Sequence, residues 1–128
     1  MKRGRSTGTP TAQQAARFDA IREAGCLVAH LLELEWLPAE IHHLTIGGRH
    51  GAKRRGHDAT IGLNSWSHRG VPLSGWTVSE CEAMLGPSYA RSPRAFRERF
   101  GDDDTLLWAQ ANLLRKHGYQ PCAPTSPA

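Results

Sequence analysis

Apolar and polar positions along this chain change period several times, and each change predicts an element. In AQQAARFDAIREAG (12–25), Ala15, Phe18, Ile21 and Arg22 fall on one helical stripe, and Gly25 is placed to end it. From Leu27 to Leu37 the chain is apolar without a clean period and Pro38 interrupts it, so helix and strand are both open there. AEIHHLTI (39–46) has the β-branched content of a short strand, GGRHGAKRRG (47–56) reads as a loop, and ATIGL (59–63) reads as a returning strand. The three make a hairpin. NSWSH (64–68) opens a short helix with Asn64 or Ser65 as its cap. TVSE (77–80) is a capping box for a helix through Met84 and Leu85, stopped by Gly86-Pro87. Ser92 as cap and Pro93 at the first helical position start another helix, which Gly101 ends. Asp102 to Asp104 then suit a helix N-terminus, Leu107, Ala111 and Leu114 make its stripe, and Gly118 closes it after Arg115, Lys116 and His117.

The pattern is that of a single small α+β domain over residues 12–118. A basic arm (1–11) and a Pro-rich tail (119–128) flank it, both expected to be flexible. A chain of 128 residues has room for one core. No apolar run approaches the roughly 18–20 residues of a membrane span. Three cysteines, Cys26, Cys81 and Cys122, are an odd number with no signal-peptide apolar region ahead of them, so a reducing cytoplasm is the expected setting. The net charge of +4 permits a polyanionic partner without naming one. Its distribution says more, because Arg and Lys crowd the first five residues, the 49–55 loop and the 91–99 segment.

Seven histidines are present, and their placement carries the candidate chemistry. His42 and His43 are adjacent on the first strand, and His68 lies at the helix start after the second. Neighbouring strand residues face opposite ways, so one regular strand does not easily aim both histidines at one ion. A division of labour follows, with one histidine on the metal and the other working on the substrate. Phosphodiester hydrolysis needs a deprotonated water in line with the scissile bond and a cation to offset the charge that develops. Neutral imidazole accepts such a proton at cellular pH. His42 and His68 as ligands with His43 as base supply the minimum set. Asp58 is placed to add a carboxylate to the metal or to orient a histidine, with His57 as an alternative phosphate contact. Arg49, Lys53, Arg54, Arg55 and Arg69 are the candidate phosphate clamps.

Each of these residues also has a plain reading. The histidines can be surface residues of a hairpin, Asp58 a turn residue and the basic loop a solvated one. Arg94, Arg97 and Arg99 read as the outer face of a helix that buries Phe96 and Phe100, and Trp36, Trp66, Trp76 and Trp108 as core. His30, His50 and His117 have no assigned role.

The order Glu-Ile-His-His-Leu, basic loop, Gly-His-Asp-Ala-Thr-Ile-Gly-Leu, then Trp66-Ser-His68-Arg-Gly resembles the HNH (ββα-metal) nucleases. More narrowly it is similar to the phage Ref family, nucleases that depend on a RecA filament. The similarity continues through LGPSYARSPRAFRERFGDDDTLL and covers roughly residues 12–116. The resemblance implies a ββα-metal site in which His42 and His68 are ligands and His43 is the general base. It implies one divalent ion, with Mg, Mn or Zn open, and DNA and a RecA-type filament as partners in a bacterial host cell. Two departures stand out. At the four zinc-knuckle places of many relatives this chain has Cys26, Ala29, Asn64 and Ser67, so no structural zinc is expected. The middle asparagine of the motif falls near Asp58-Ala59, and alanine cannot replace it. The expected function is a metal-dependent DNA endonuclease in recombination or repair. The alternatives are a DNA-binding recombination accessory protein that has lost catalysis, and a structural metal-binding module without DNA activity.

Overall fold

The computed structural model describes residues 8–45 and 56–120. The basic loop at 49–55, residues 1–7 of the arm and residues 121–128 of the tail lie outside the described residues. Among the described residues, six helices and a two-stranded sheet follow in the order α1 (Ala12–Ala24), α2 (Leu27–Leu31), β1 (Glu40–His43), β2 (Thr60–Leu63), α3 (Ser65–Arg69), α4 (Val78–Leu85), α5 (Pro93–Phe100) and α6 (Asp103–Lys116). The fold is α+β. None of the described helices is long and apolar enough to cross a membrane.

Helix α1 starts with a reciprocal capping box between Thr11 and Gln14, which satisfies two backbone donors that the first turn leaves orphaned. Its buried row is Phe18, Ile21 and Ala24, while Ala15 and Arg22 of the expected stripe are exposed. The row is displaced because α1 packs by its C-terminal half. A Cβ on Gly62 of β2 would lie 2.6 Å from the Ile21 side chain, so only glycine lets the strand come this close. Gly25 ends α1 at φ 88°, and the indole of Trp36 lies against it while donating to the Glu23 carbonyl at 3.1 Å. Trp36 is nevertheless 58% exposed and Trp108 68%, so neither is the core residue that its type predicts. Trp66 is buried, and Trp76 only partly so.

The apolar stretch after Gly25 has no single period because it changes conformation midway. Leu27, Val28 and Ala29 are buried in the short α2, after which the chain returns so that the Leu37 carbonyl accepts the Cys26 N–H at 2.9 Å. Strands β1 and β2 then pair antiparallel, with His42 opposite Ile61 and His43 opposite Thr60. Asn64 caps α3 by accepting the Ser67 N–H at 2.8 Å, and Gly70 closes that helix in the left-handed conformation at φ 72°.

Helix α4 carries the expected Thr77/Glu80 capping box. Ser92 occupies the cap position of α5 but makes no side-chain cap bond, so that start rests on Pro93 alone. Asp102 caps α6 through the Thr105 N–H at 2.9 Å. The buried row of α6 is Leu106, Gln110, Leu113 and Leu114, displaced from the expected Leu107, Ala111, Leu114. The displacement has a polar cause. The side-chain oxygen of Gln110 accepts the Gly62 N–H at 2.7 Å, so a glutamine stands where a periodicity argument seeks an apolar residue.

Candidate active site

Glu40 and His42 share one face of β1, and Ile41 and His43 share the other, because side chains alternate along a strand. On the first face His42 is buried, 6% exposed. Its ring meets that of His68 edge-on at 5.0 Å between centroids and that of Tyr89 at 4.7 Å. Hairpin and helix thus bring together two histidines that are 26 positions apart in sequence.

His68 is held from behind. Its Nδ1 lies 2.9 Å from Glu40 Oε1, and the same carboxylate accepts Arg69 Nε at 2.8 Å and Nη2 at 2.7 Å. The Arg69 bond, helped by the one from His68, holds the Glu40 carboxyl below its ordinary range against the opposing effect of burial. An ionised carboxylate only accepts, so His68 Nδ1 carries the proton and Nε2 the lone pair. Glu40 is absent from the sequence-derived site. The one signal for it was its spacing of two from His42, which fixes a shared face. Arg69, expected as a phosphate clamp, has its fork engaged by Glu40.

A further layer supports His42. Arg97 Nη2 donates to the Tyr89 hydroxyl at 3.0 Å, and its guanidinium lies 5.0 Å over the Tyr89 ring. It also approaches Asp103 at 3.6 Å. Arg97 therefore turns inward, whereas Arg94 and Arg99 are exposed as a solvated face predicts.

His43 lies on the opposite face, against α1. Its ring packs edge-on to Phe18 at 6.1 Å, and its Nε2 is 3.0 Å from His57 Nδ1. His57 packs on Phe18 as well, at 5.5 Å, and its Nε2 is 2.7 Å from the Gly8 carbonyl. Next to it, Asp58 is exposed and accepts from Gln14 Nε2 at 3.1 Å. Arg17 fastens this turn by donating to Thr60 Oγ1 at 3.2 Å and the Thr60 carbonyl at 2.6 Å.

Among the described residues, no three of His, Cys, Asp and Glu gather into a group fit to hold a metal ion. Asp58, considered as a third ligand, is not gathered with His42 and His68. Arg49, Lys53, Arg54 and Arg55 lie outside the described residues. Of the four knuckle places, Cys26 and Asn64, the caps of α2 and α3, meet through hydrogen bonds, while Ala29 and Ser67 are the third residues of those helices. Burial pushes the Cys26 thiol above its ordinary pKa.

A family model described as recombination enhancement, RecA-dependent nuclease matches residues 10–115, which takes in the hairpin, α3 and almost all of α6. The chain belongs to this family. It is a nuclease family, so the chain belongs among enzymes, and the family's description names RecA dependence and a role in recombination. No curated protein and no solved structure matches the chain.

Proposed function

We propose that this RecA-dependent nuclease family member is a metal-dependent endonuclease of the HNH type, cutting DNA held by a recombinase filament. The observation that carries the reading is the meeting of His42 and His68 at 5.0 Å between rings, with His68 Nδ1 tied to Glu40. A carboxylate behind a ligating histidine fixes the ring's tautomer and raises its basicity, which suits Nε2 to a cation. Imidazole nitrogens about 2.0–2.1 Å from one ion belong to rings spaced about as these are. When bound, the ion supplies positive charge for the transition state and the leaving oxygen.

The protein's own residues divide the remaining work. His42 and His68 would hold the ion, Glu40 and Arg69 hold His68, and His43 would accept the proton of the attacking water from the other face of the strand. Asp58 follows His57 in the chain and accepts from Gln14 rather than joining the two ligands. Arg49, Lys53, Arg54 and Arg55 contact flanking phosphates. Imidazole donors favour Mn²⁺ or Zn²⁺ over Mg²⁺, which prefers oxygen. No structural zinc is expected, because Ala29, Asn64 and Ser67 leave Cys26 without soft partners.

The test is cleavage of single-stranded, duplex and filament-bound DNA by the wild type and His43→Ala with Mg²⁺, Mn²⁺ or Zn²⁺. Metal-dependent cutting, greatest on filament-bound DNA and reduced about 10²–10⁴-fold in the variant, is the expected result. A wild type that binds DNA yet cuts none of the three substrates would establish the accessory-protein alternative instead.

A further inference from the structure

We propose that His57 is a positioning residue for His43, fixing the tautomer that leaves the proton-accepting lone pair on His43 Nδ1. The inference rests on the reading of His43 as general base and adds a residue to it. The argument starts at the far end of the chain of contacts. The Gly8 carbonyl oxygen only accepts, and His57 Nε2 lies 2.7 Å from it, so that nitrogen carries the proton. A neutral His57 then has its lone pair on Nδ1. His43 Nε2 lies 3.0 Å from that atom and must be the donor. His43 is thereby left with its own lone pair on Nδ1.

The geometry around the pair favours a fixed arrangement. The two rings lie 5.2 Å apart at 65°, and both abut the edge of Phe18, itself only 9% exposed. The peptide oxygen behind His57 polarises the second ring, and the second ring polarises the first, in the same direction. In the reaction, a water O–H bond breaks as an N–H bond forms at His43 Nδ1. The water oxygen bonds to phosphorus, the P–O bond to the leaving sugar oxygen breaks, and that oxygen takes a proton from solvent. Throughout, the Nε2–H bond to His57 stays in place, so the ring cannot turn its other nitrogen to the water.

The bond is read directly in the wild-type full chain with ¹⁵N-labelled histidines, without DNA or metal. Two-bond ¹H–¹⁵N correlations should show neutral His43 protonated on Nε2. In His57→Phe, which keeps an aromatic ring against Phe18 and loses the acceptor, His43 should populate both tautomers. Its kcat should fall about 10–100-fold, the usual cost of removing a partner that orients a functional histidine. KM should stay within about twofold, because the lost interaction serves the transition state. His57→Gln, whose side-chain oxygen can accept from Nε2, should restore the tautomer and most of kcat. A wild-type His43 protonated on Nδ1, or a His57→Phe protein with unchanged tautomer and kcat, overturns the proposal. The spectrum of the wild type decides the point even if a variant fails to fold. Undiminished cleavage by His43→Ala would instead overturn the base reading itself, and the tautomer measurement keeps the two failures apart.

Discussion

The Cys26 thiol accepts two hydrogen bonds from Asn64, one from its backbone N–H at 3.3 Å and one from its side-chain amide at 3.1 Å. Because the Asn64 side-chain oxygen also accepts the Ser67 N–H, one buried amide joins the start of α2 to the start of α3. Helix α3 carries His68, so the position of a candidate ligand depends on a contact outside the site.

Removing either partner should therefore destabilise the domain. Asn64→Ala loses the helix cap and the buried side-chain bond to Cys26, and should cost about 2–3 kcal/mol in urea unfolding. Cys26→Ala should cost about 1–2 kcal/mol, since it strands two donors. The double variant should lose less than the sum by at least about 0.5 kcal/mol, and strict additivity would show the residues to be energetically independent. Ser67→Ala, by contrast, should be neutral or stabilising, because the buried Ser67 hydroxyl has no hydrogen-bond partner among the described residues.

The ion pairing at Glu40 sets a direction for acid stability. Its carboxyl titrates below the ordinary value in the fold, through Arg69 first and then His68. The folded state therefore binds this proton less readily than the unfolded chain. The contribution is complete above the ordinary glutamate pKa of about 4.3 and is lost as pH falls through the lower folded value. Wild-type stability should drop across that window more steeply than that of Glu40→Gln, as followed by urea midpoints from pH 6 down to about 3. Parallel curves for the two proteins would remove Glu40 from the acid response.

Local signals in the sequence identified most elements, and long-range pairings were what they missed. Thr77 with Glu80, Asp102 at the start of α6 and Gly25 at the end of α1 act within a turn of themselves, so their types and spacing sufficed. The hairpin and the α3 cap were legible for the same reason. The α6 row was read one position off because Gln110 is buried to bond Gly62, 48 positions away. Glu40 went unread for a like cause. A glutamate at a strand start reads as solvated, and its partner His68 is 28 positions on. His57 reads from the sequence as no more than an alternative phosphate contact, since nothing in its neighbourhood indicates that the hairpin turns it onto His43 or that the Gly8 carbonyl lies behind it.

The basic loop makes a prediction that salt tests. If Arg54 and Arg55 contact phosphates, replacing both with alanine should lower DNA affinity and flatten the dependence of log Kd on log salt by about one to two units. Each lost contact removes about one released counterion. Fluorescence anisotropy between 50 and 300 mM salt measures this. A weaker affinity with an unchanged slope would point to misfolding rather than to lost phosphate contacts.

The final prediction separates the two faces of β1. His42 and His68 lie on one side and His43 on the other, so the two sides should fail differently when mutated. His68→Ala removes a candidate ligand, and both Mn²⁺ affinity and cleavage should fall. Glu40→Gln keeps the ligand and an oxygen that accepts its Nδ1–H but loses the negative charge that raises the ring's basicity, and should weaken Mn²⁺ binding about 10–100-fold. His43→Ala should leave Mn²⁺ affinity within about twofold of wild type while cleavage falls about 10²–10⁴-fold, since a base acts on the water and not on the ion. Isothermal titration with Mn²⁺, run beside cleavage assays at saturating Mn²⁺, resolves the two effects. Excess metal should restore much of the activity of Glu40→Gln and none of that of His43→Ala, because only the former is limited by occupancy. Loss of Mn²⁺ affinity in His43→Ala equal to that in His68→Ala would place all three histidines around the ion and end the division of labour between the two faces.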